Sequence, residues 1–555
     1  MNSAKLTKFF PFLGFYKDPK TLITDLTAGT TVGLVLVPQA MAYAALAGMP
    51  PQTGLYAACF ACMVGAAFGQ CAVVNTGPVA MTSLLSFAAL GALADIGTEQ
   101  YWALAAILAI LVGVIRIVIG LIKGTFLVTL ISQSVLLGFT SAAGITIAST
   151  QVPKFFALEK LHENPVYNVF LMILKIDDAH FPSLMMGLGT LIVMILFKKF
   201  LPKWPGLLIA LVGATLISHS VNFQSLGGQI VGELPAGLPE FSLPTEGWDL
   251  TLELLPSALL VAIIGLLEVM TVTSAAERLT KRSTDLNAEL VGQGLASICA
   301  GVTSGFPVSG SLSRSSLNML AGAVTGLSSV FSGLIVLLAL LWFTPLLQPM
   351  PYPALAAAIV MAVSALIKFK PLFQAWKIKR SDVVFGLATF IITLAGAPSM
   401  TLGMCCGIGL SVGWFVFKVM TPRCMLMQKG EDGRWAKAPN QNETSNEKEF
   451  GAVVLRMDAR FVFLNSNRVL NRAKTLISSR DFSTRCVFCF ASINDIDATG
   501  CAALVELKSF MESRGSELIL ADVKAPIRKI LSHHEVLKDL MIRPTLDDAL
   551  VDLKE

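Results

Sequence analysis

Apolar residues come in blocks from about residue 24 to residue 420, with polar residues gathered between the blocks. After 421 the pattern changes to short alternating runs. A helix needs about 20 apolar residues to cross a bilayer. By that measure the first part of the chain holds about fourteen segments, some of them short. They lie near 24–46, 54–70, 77–92, 101–121, 125–149, 181–198, 205–220, 254–275, 288–303, 310–322, 324–345, 353–367, 382–397 and 400–420. A polar stretch at 422–450 reads as a linker. Beyond it the strand-like runs GAVVLRMD, RCVFCFA and SELILADV alternate with the helix-like runs NSNRVLNRAKTLISS and CAALVELKSFMES, and two shorter helical stretches follow. Strands and helices alternating at these lengths indicate a small α/β domain over 451–555. The fold class is therefore a mostly α polytopic membrane domain at 24–421, preceded by a short segment at 1–23 and followed by an α/β domain.

Charge supports this division. Only 14% of residues are charged, against about 25% in soluble chains, so the chain reads as an integral membrane protein. The start of the chain lacks a continuous apolar core and a small-residue cleavage site, so no cleavable signal peptide is expected. Its run FFPFLGFY is instead read as interfacial. Basic clusters at Lys5 to Lys20, Lys198 to Lys203, Arg278 to Arg282, Lys368 to Arg380 and Arg423 to Lys437 all fall on one side of the membrane if the span count is even. Asp95, Glu99, Glu233, Glu240, Glu246 and Asp249 fall on the other, with a mixed loop carrying Lys154, Lys160 and Lys175. The positive-inside rule then puts both termini in the cytoplasm.

Two of the segments are interrupted in the same way. The third begins NTGPVAMTSLL, so its helix starts late, after Gly77 and Pro78. The tenth begins FPVSGSLSRSSLN, after Pro307 and Gly310. Pro38 also interrupts the first segment, in LVPQAMAYAA. The third and tenth segments hold corresponding places in two halves of about seven spans. Irregular backbone survives at membrane depth only where protein or a watery cavity satisfies it. A helix N-terminus there exposes unpaired N–H groups and about half a positive charge. Two such tips, at Val79–Ala80 and Ser311–Ser313, would make an anion site without a metal.

A charge near the bilayer centre costs roughly 2.5–3.5 kcal/mol on insertion scales, so Arg314 needs a partner or a cavity. Glu268 is the one acid read as deep within its span, and it is expected to balance Arg314 when no anion is present. A purely structural ion pair is the other reading. Gln39 and Tyr43, four apart, share a helix face. Both can donate to an oxyanion, or equally glue two helices together.

At these residues the chain resembles the SulP family of inorganic anion transporters. The stretches VPQAMAYAALAGMPPQTGLYAA, TGPVAMTSLL, NAELVGQGLASICAG and SGFPVSGSLSRSSLN carry the likeness, and the C-terminal part resembles a STAS domain. The resemblance implies two inverted seven-span repeats, at about 24–220 and 254–420, arranged as a core and a gate domain, with elevator-type alternating access and a homodimer. It implies that Gln39, Tyr43, Ala80, Ser311, Leu312 and Ser313 line the anion, with Ala80 and Leu312 acting through backbone. Glu268 and Arg314 match the acid and base associated with proton coupling in this family. The tenth-span sequence GSLSR favours sulfate over bicarbonate or a dicarboxylate. In the STAS loop IDATG, Thr499 takes the place of a phosphorylatable hydroxyl, and reads equally as a helix N-cap. The STAS domain would also serve dimer contact or dock a cytoplasmic partner.

The expected function is secondary active uptake of a small anion across the plasma membrane (the inner membrane in a bacterium), coupled to protons. A bicarbonate or dicarboxylate transporter, an anion exchanger and an anion channel are the alternatives. An enzyme is not expected: no nucleophile–His–acid set, zinc spacing or phosphate-binding loop is present. No cofactor, metal or nucleic-acid partner is called for. The CVFC run, Cys486 to Cys489, reads as a buried strand rather than redox chemistry. Asn442 opens an N-x-T sequon on the expected cytoplasmic side, where it would be inert.

Overall fold

A computed structural model of the chain describes residues 19–126, 131–158, 162, 164–201, 204–235, 237–239, 241–244, 247–397, 400–430, 433–438, 452–478 and 485–551. The apolar run near the N-terminus, the first three lysines, Lys160, Lys203, Glu240, Glu246 and the Asn442 sequon lie outside these residues. Two compact units divide between Ser411 and Val412.

The first unit is helical. In chain order its helices begin with α1 (Pro19–Leu46), α2 (Pro51–Phe68), α3 (Ala80–Leu90), α4 (Glu99–Leu121), α5 (Gln133–Phe156) and α6 (Pro165–Ile173). Next come α7 (Phe181–Phe200), α8 (Gly206–Ser220), α9 (Thr251–Thr280), α10 (Leu286–Val302), α11 (Leu312–Leu320) and α12 (Leu327–Leu338). The series ends with α13 (Thr344–Leu347), α14 (Tyr352–Val363), α15 (Phe369–Ile378), α16 (Arg380–Ala395) and α17 (Thr401–Met420), the last of which runs on into the second unit. Each of the fourteen apolar segments holds a helix. Among the described residues nine helices are long and apolar enough to cross a membrane, and α3 and α8 are shorter apolar ones. Large apolar side chains such as Leu252, Leu216, Phe181 and Trp342 face outward. On a water-soluble surface they would form an oversized patch; here they are the side a bilayer covers.

Lipid offers no hydrophobic drive between helices, so close packing needs small residues. Gly113 on α4 and Gly294 on α10 supply it. A Cβ on either would sit 2.5 or 2.6 Å from the other's carbonyl oxygen. On α5 a Cβ at Gly138 would meet the carbonyl oxygen of Gly386 on α16, and one at Gly386 the carbonyl oxygen of Ser134. Pro38 does not break its span, contrary to the expectation: α1 is helical throughout, with Pro38 inside it. Neighbouring helices in a bundle tolerate the missing N–H. Between α12 and α13 a π turn at Ala339–Phe343 leads into the helix that opens at Thr344–Pro345.

The second unit contains a six-stranded sheet. Its strands are β3 (Cys424–Lys429), β4 (Trp435–Lys437), β5 (Ala452–Met457), β6 (Arg485–Cys489), β7 (Leu518–Ala521) and β8 (Met541–Arg543); β1 (Thr76–Gly77) and β2 (Ser309–Gly310) belong to the first unit. The sheet order is β4-β3-β5-β6-β7-β8, parallel from β5 to β8. The helices α18 (Ser466–Ser478), α19 (Ala498–Ser513), α20 (Ala525–Ser532) and α21 (Leu546–Val551) complete it. The strands and helices read from 451 onward are found. The polar stretch 422–450, however, contributes β3 and β4, which pair antiparallel to each other and, through β3, to β5. Cys486 and Cys489 lie buried on β6.

Candidate functional site

The two interrupted segments meet. Thr76–Gly77 (β1) and Ser309–Gly310 (β2) pair antiparallel, Thr76 against Gly310 and Gly77 against Ser309. The Ser311 N–H donates to Asn75 O at 3.0 Å, and the Asn75 N–H to Ser315 Oγ at 2.9 Å. Side chains from neighbouring helices satisfy the rest of this irregular backbone. Ser329 Oγ donates to Val74 O, and Asn318 Nδ2 to Val73 O and Ser328 Oγ. Gln293 Nε2 donates to Thr76 Oγ1. Buried polar backbone without such partners would cost several kcal/mol per group.

From this β pair α3 and α11 start. Val79, extended at φ −137°, is the N-cap of α3, and Ser311 caps α11, its Oγ accepting from Arg314 N at 3.4 Å. Among the described residues the N–H groups of Ala80, Met81, Leu312 and Ser313 donate to no protein acceptor. These are the orphan donors of two helix tips. Val79, Ala80 and Ser311 are buried, while Leu312 and Ser313 are exposed. The Ser311 and Ser313 hydroxyls lie 3.3 Å apart.

Arg314 ties the two tips together. Its Nε donates to Asn75 Oδ1 at 2.8 Å; its Nη1 donates to Pro78 O at 2.8 Å and to Gln39 Oε1 at 3.3 Å. Nη2 is buried and has no acceptor. Gln39 Nε2 in turn donates to Tyr43 Oη at 3.0 Å, as the shared helix face predicts. Tyr43 thus keeps its own O–H proton for another acceptor. Every partner of the Arg314 guanidinium is a neutral oxygen. Nε and Nη1 are satisfied, Nη2 is not, and none of these partners carries a negative charge, so a buried cation with a spare donor favours an anion beside it.

Glu268 makes no ion pair with Arg314 among the described residues, so the expected direct charge balance is absent here. It lies within electrostatic reach of Arg314 and of Arg116, beside Ser309, whose Oγ donates to Gly265 O at 3.3 Å. Its Oε2 has no hydrogen-bond partner. Arg116, on α4, was not read from the sequence. Fully buried, it donates through Nη1 to Val308 O at 2.5 Å and through Nη2 to Val261 O at 3.5 Å, bracing the chain just ahead of β2. The signal for it was a lone arginine in an otherwise apolar span. Two further acids are buried nearer the starts of their helices, at Glu289 on α10 and Asp25 on α1. Glu289 accepts from the amides of Gln70 and Cys71, and Asp25 from those of Val324 and Thr325; both carboxylates are buried.

In the second unit Thr499 is exposed in the first turn of α19, but the N-cap is Asp497, which accepts from Gly500 N at 2.8 Å and Phe463 N at 2.7 Å. The capping role read for Thr499 therefore belongs to Asp497. Among the described residues no three His, Cys, Asp or Glu side chains gather as a metal site.

The sulfate permease family profile matches residues 22–389, and the STAS domain profile residues 444–549. The chain belongs to the sulfate permease family. This is a family of membrane anion transporters, not enzymes. The permease is 30% identical over 540 residues to the chloroplastic sulfate transporter 4.1 of Arabidopsis thaliana, covering 92% of this chain and 77% of that relative. It is 28% identical over 590 residues to the sodium-independent sulfate anion transporter of Bos taurus, covering 100% and 92%. Its fold is that of the murine Solute Carrier 26 family member A9 anion transporter in the inward-facing state, with a TM-score of 0.88 at 21% identity over 100% of this chain and 95% of that one. The transmembrane domain of a cyanobacterium bicarbonate transporter, BicA, matches with a TM-score of 0.61 at 23% identity, over 71% of this permease and 98% of that chain.

Proposed function

We propose that this permease is a secondary active transporter that takes up sulfate or a similar oxyanion together with protons. The observation that carries the proposal is the pairing of β1 with β2, which brings two helix tips and Arg314 to one place. The anion sits between α3 and α11, held by the amides of Ala80 and Leu312, the hydroxyls of Ser311, Ser313 and Tyr43, the Gln39 amide and Arg314. Val79 positions the tip of α3. The names of the sulfate-transporting relatives support the choice of oxyanion. The likeness to the bicarbonate transporter domain supports bicarbonate as the second reading.

Fourteen spans in two inverted seven-span repeats, forming core and gate domains, give elevator-type alternating access. Both termini and the STAS domain are cytoplasmic, by the placement of the basic clusters, in the plasma membrane or its bacterial equivalent. A homodimer and a cytoplasmic partner for the STAS domain, with Thr499 as its phosphorylatable hydroxyl, complete the reading. Against an inside-negative potential each charge costs roughly 2.3 kcal/mol per 100 mV, so dianion uptake needs accompanying cations. Glu268 carries the proton: protonated, it leaves the field of Arg116 and Arg314 free for the anion.

Labelled sulfate uptake into proteoliposomes, with and without an inward proton gradient and with competing anions, tests the proposal. Glu268→Gln should lose the response to the gradient while anion binding persists. Uptake by Glu268→Gln that still rises with the gradient rules out the proton role. Competition by bicarbonate but not by selenate or molybdate selects the second reading.

A further inference from the structure

A second positively charged site lies entirely within the C-terminal unit. A cavity of about 370 Å³ is lined by Thr421, Arg423, Lys437, Arg468 and Arg472, together with apolar neighbours, and among the described residues by no carboxylate. Four cations converge from three pieces of chain. Arg468 and Arg472 are four apart on one face of α18. Lys437 ends β4, opposite Met427 on β3. Arg423 immediately precedes β3. All four side chains are exposed, and Lys437 and Arg468 make no side-chain hydrogen bond or ion pair among the described residues. Asp458 has its N–H on Arg423 O and its carboxylate held by Arg456 Nε at 2.8 Å.

The same unit fixes where this cavity lies along the chain. Thr421 directly follows Met420, the last residue of the apolar helix α17. Asn465, one residue ahead of α18, donates through Nδ2 to Val419 O at 3.1 Å, pinning the start of the arginine-bearing helix to the end of α17. The final turns of α17 carry Trp414, Phe415 and Phe417, all exposed, with the Trp414 and Phe417 rings stacked at 5.6 Å. Aromatic side chains collect at the headgroup level of a bilayer. A cation cluster within a few residues of that level faces phosphate, and clusters of four or more basic residues immediately beyond a spanning helix read as anionic-lipid sites.

We propose that this cavity binds a phosphoryl group, carried by an anionic phospholipid of the adjoining leaflet. The guanidinium groups of Arg423, Arg468 and Arg472 offer paired donors to phosphate oxygens, and Lys437 adds a point charge. A cavity of this size takes a headgroup and leaves the acyl chains outside.

The test uses the full chain in detergent, with phosphatidic acid or phosphatidylcholine added and bound lipid counted by native mass spectrometry. Wild type should retain phosphatidic acid in preference to phosphatidylcholine. The Lys437→Gln/Arg468→Gln double variant removes two side chains that hold nothing else in place, and should weaken phosphatidic acid binding roughly thirtyfold. Millimolar inorganic phosphate, added in a parallel arm, should not displace the lipid. Equal retention of phosphatidic acid by wild type and variant overturns the site. Inorganic phosphate binding to wild type in place of the lipid, and lost in the variant, overturns the lipid source and leaves a soluble phosphoryl ligand. Sulfate uptake is not part of the readout, so failure here is distinct from failure of the transport reading.

Discussion

Replacing Arg314 by lysine separates charge from geometry at the anion site. The guanidinium makes three hydrogen bonds, to Asn75 Oδ1, Pro78 O and Gln39 Oε1, through two nitrogens that point in different directions. Lysine keeps the positive charge but presents its donors from a single atom, so it replaces one of these contacts and abandons two. Each hydrogen bond to a charged group contributes about 1.5–3 kcal/mol, and the stranded acceptors are buried. The loss is therefore about 3–6 kcal/mol, partly recovered by relaxation, and sulfate uptake should fall by roughly two orders of magnitude or more. Uptake rate and KM in proteoliposomes measure it, with a thermal melt to show that the fold persists. Arg314→Ala, which loses the third contact and the charge as well, should fall further still. Uptake by Arg314→Lys within threefold of wild type would refute the reasoning and reduce Arg314 to a point charge.

Further predictions follow from close contacts and burial. A Cβ at Gly265 would collide with Arg116 Nη2, so Gly265→Ala should displace Arg116 from Val308 O and lower uptake about tenfold to a hundredfold; unchanged uptake would show that Arg116 does not hold β2 in place. At Gly138 an added Cβ would collide with the backbone oxygen of Gly386, so Gly138→Ala should push α5 from α16 and cost about 1–3 kcal/mol, read as a lower Tm. Burial pushes the Cys486 and Cys489 thiols up from their ordinary range. Peptide mapping after maleimide treatment at neutral pH should therefore find both unmodified in the folded protein and modified only after denaturation.

Asp458 supplies a pH dependence in the same unit. Its slight burial works against ionisation, but hydrogen bonds from Arg456 and Ser492, with the charges of Arg456 and Arg423, together hold its carboxyl below the usual range. A depressed folded-state pKa stabilises the fold above the unfolded value, and that contribution disappears as pH falls through the folded one. Asp458→Asn should therefore flatten the acid side of the unfolding profile of the full chain, by little, because the group is largely exposed.

What the sequence alone determined was local. Hydropathy set the fourteen helical segments, because a bilayer demands runs of apolar residues whatever their partners. Gly77-Pro78 and Pro307 with Gly310 set the late starts of α3 and α11, because backbone conformation is decided within a few residues. The i, i+4 spacing placed Gln39 beside Tyr43, and a continuous apolar run placed Cys486 and Cys489 on a buried strand. Only the tertiary structure decided which groups answer one another across the chain. Arg314 meets Asn75 at a separation of 239 residues, and Arg116 meets Val308 at 192. Nothing in the neighbourhood of Asn75 or Arg116 announces these contacts. Expectation gave Arg314 the one acid read as deep within its span, Glu268, whereas packing gave it three neutral oxygens. It gave Pro38 a break that the surrounding helices absorb, and it gave 422–450 a linker where two strands complete a sheet. Periodicity and turn chemistry act through neighbours in sequence. Charge compensation and strand pairing act through neighbours in space, and those exist only once the chain has folded.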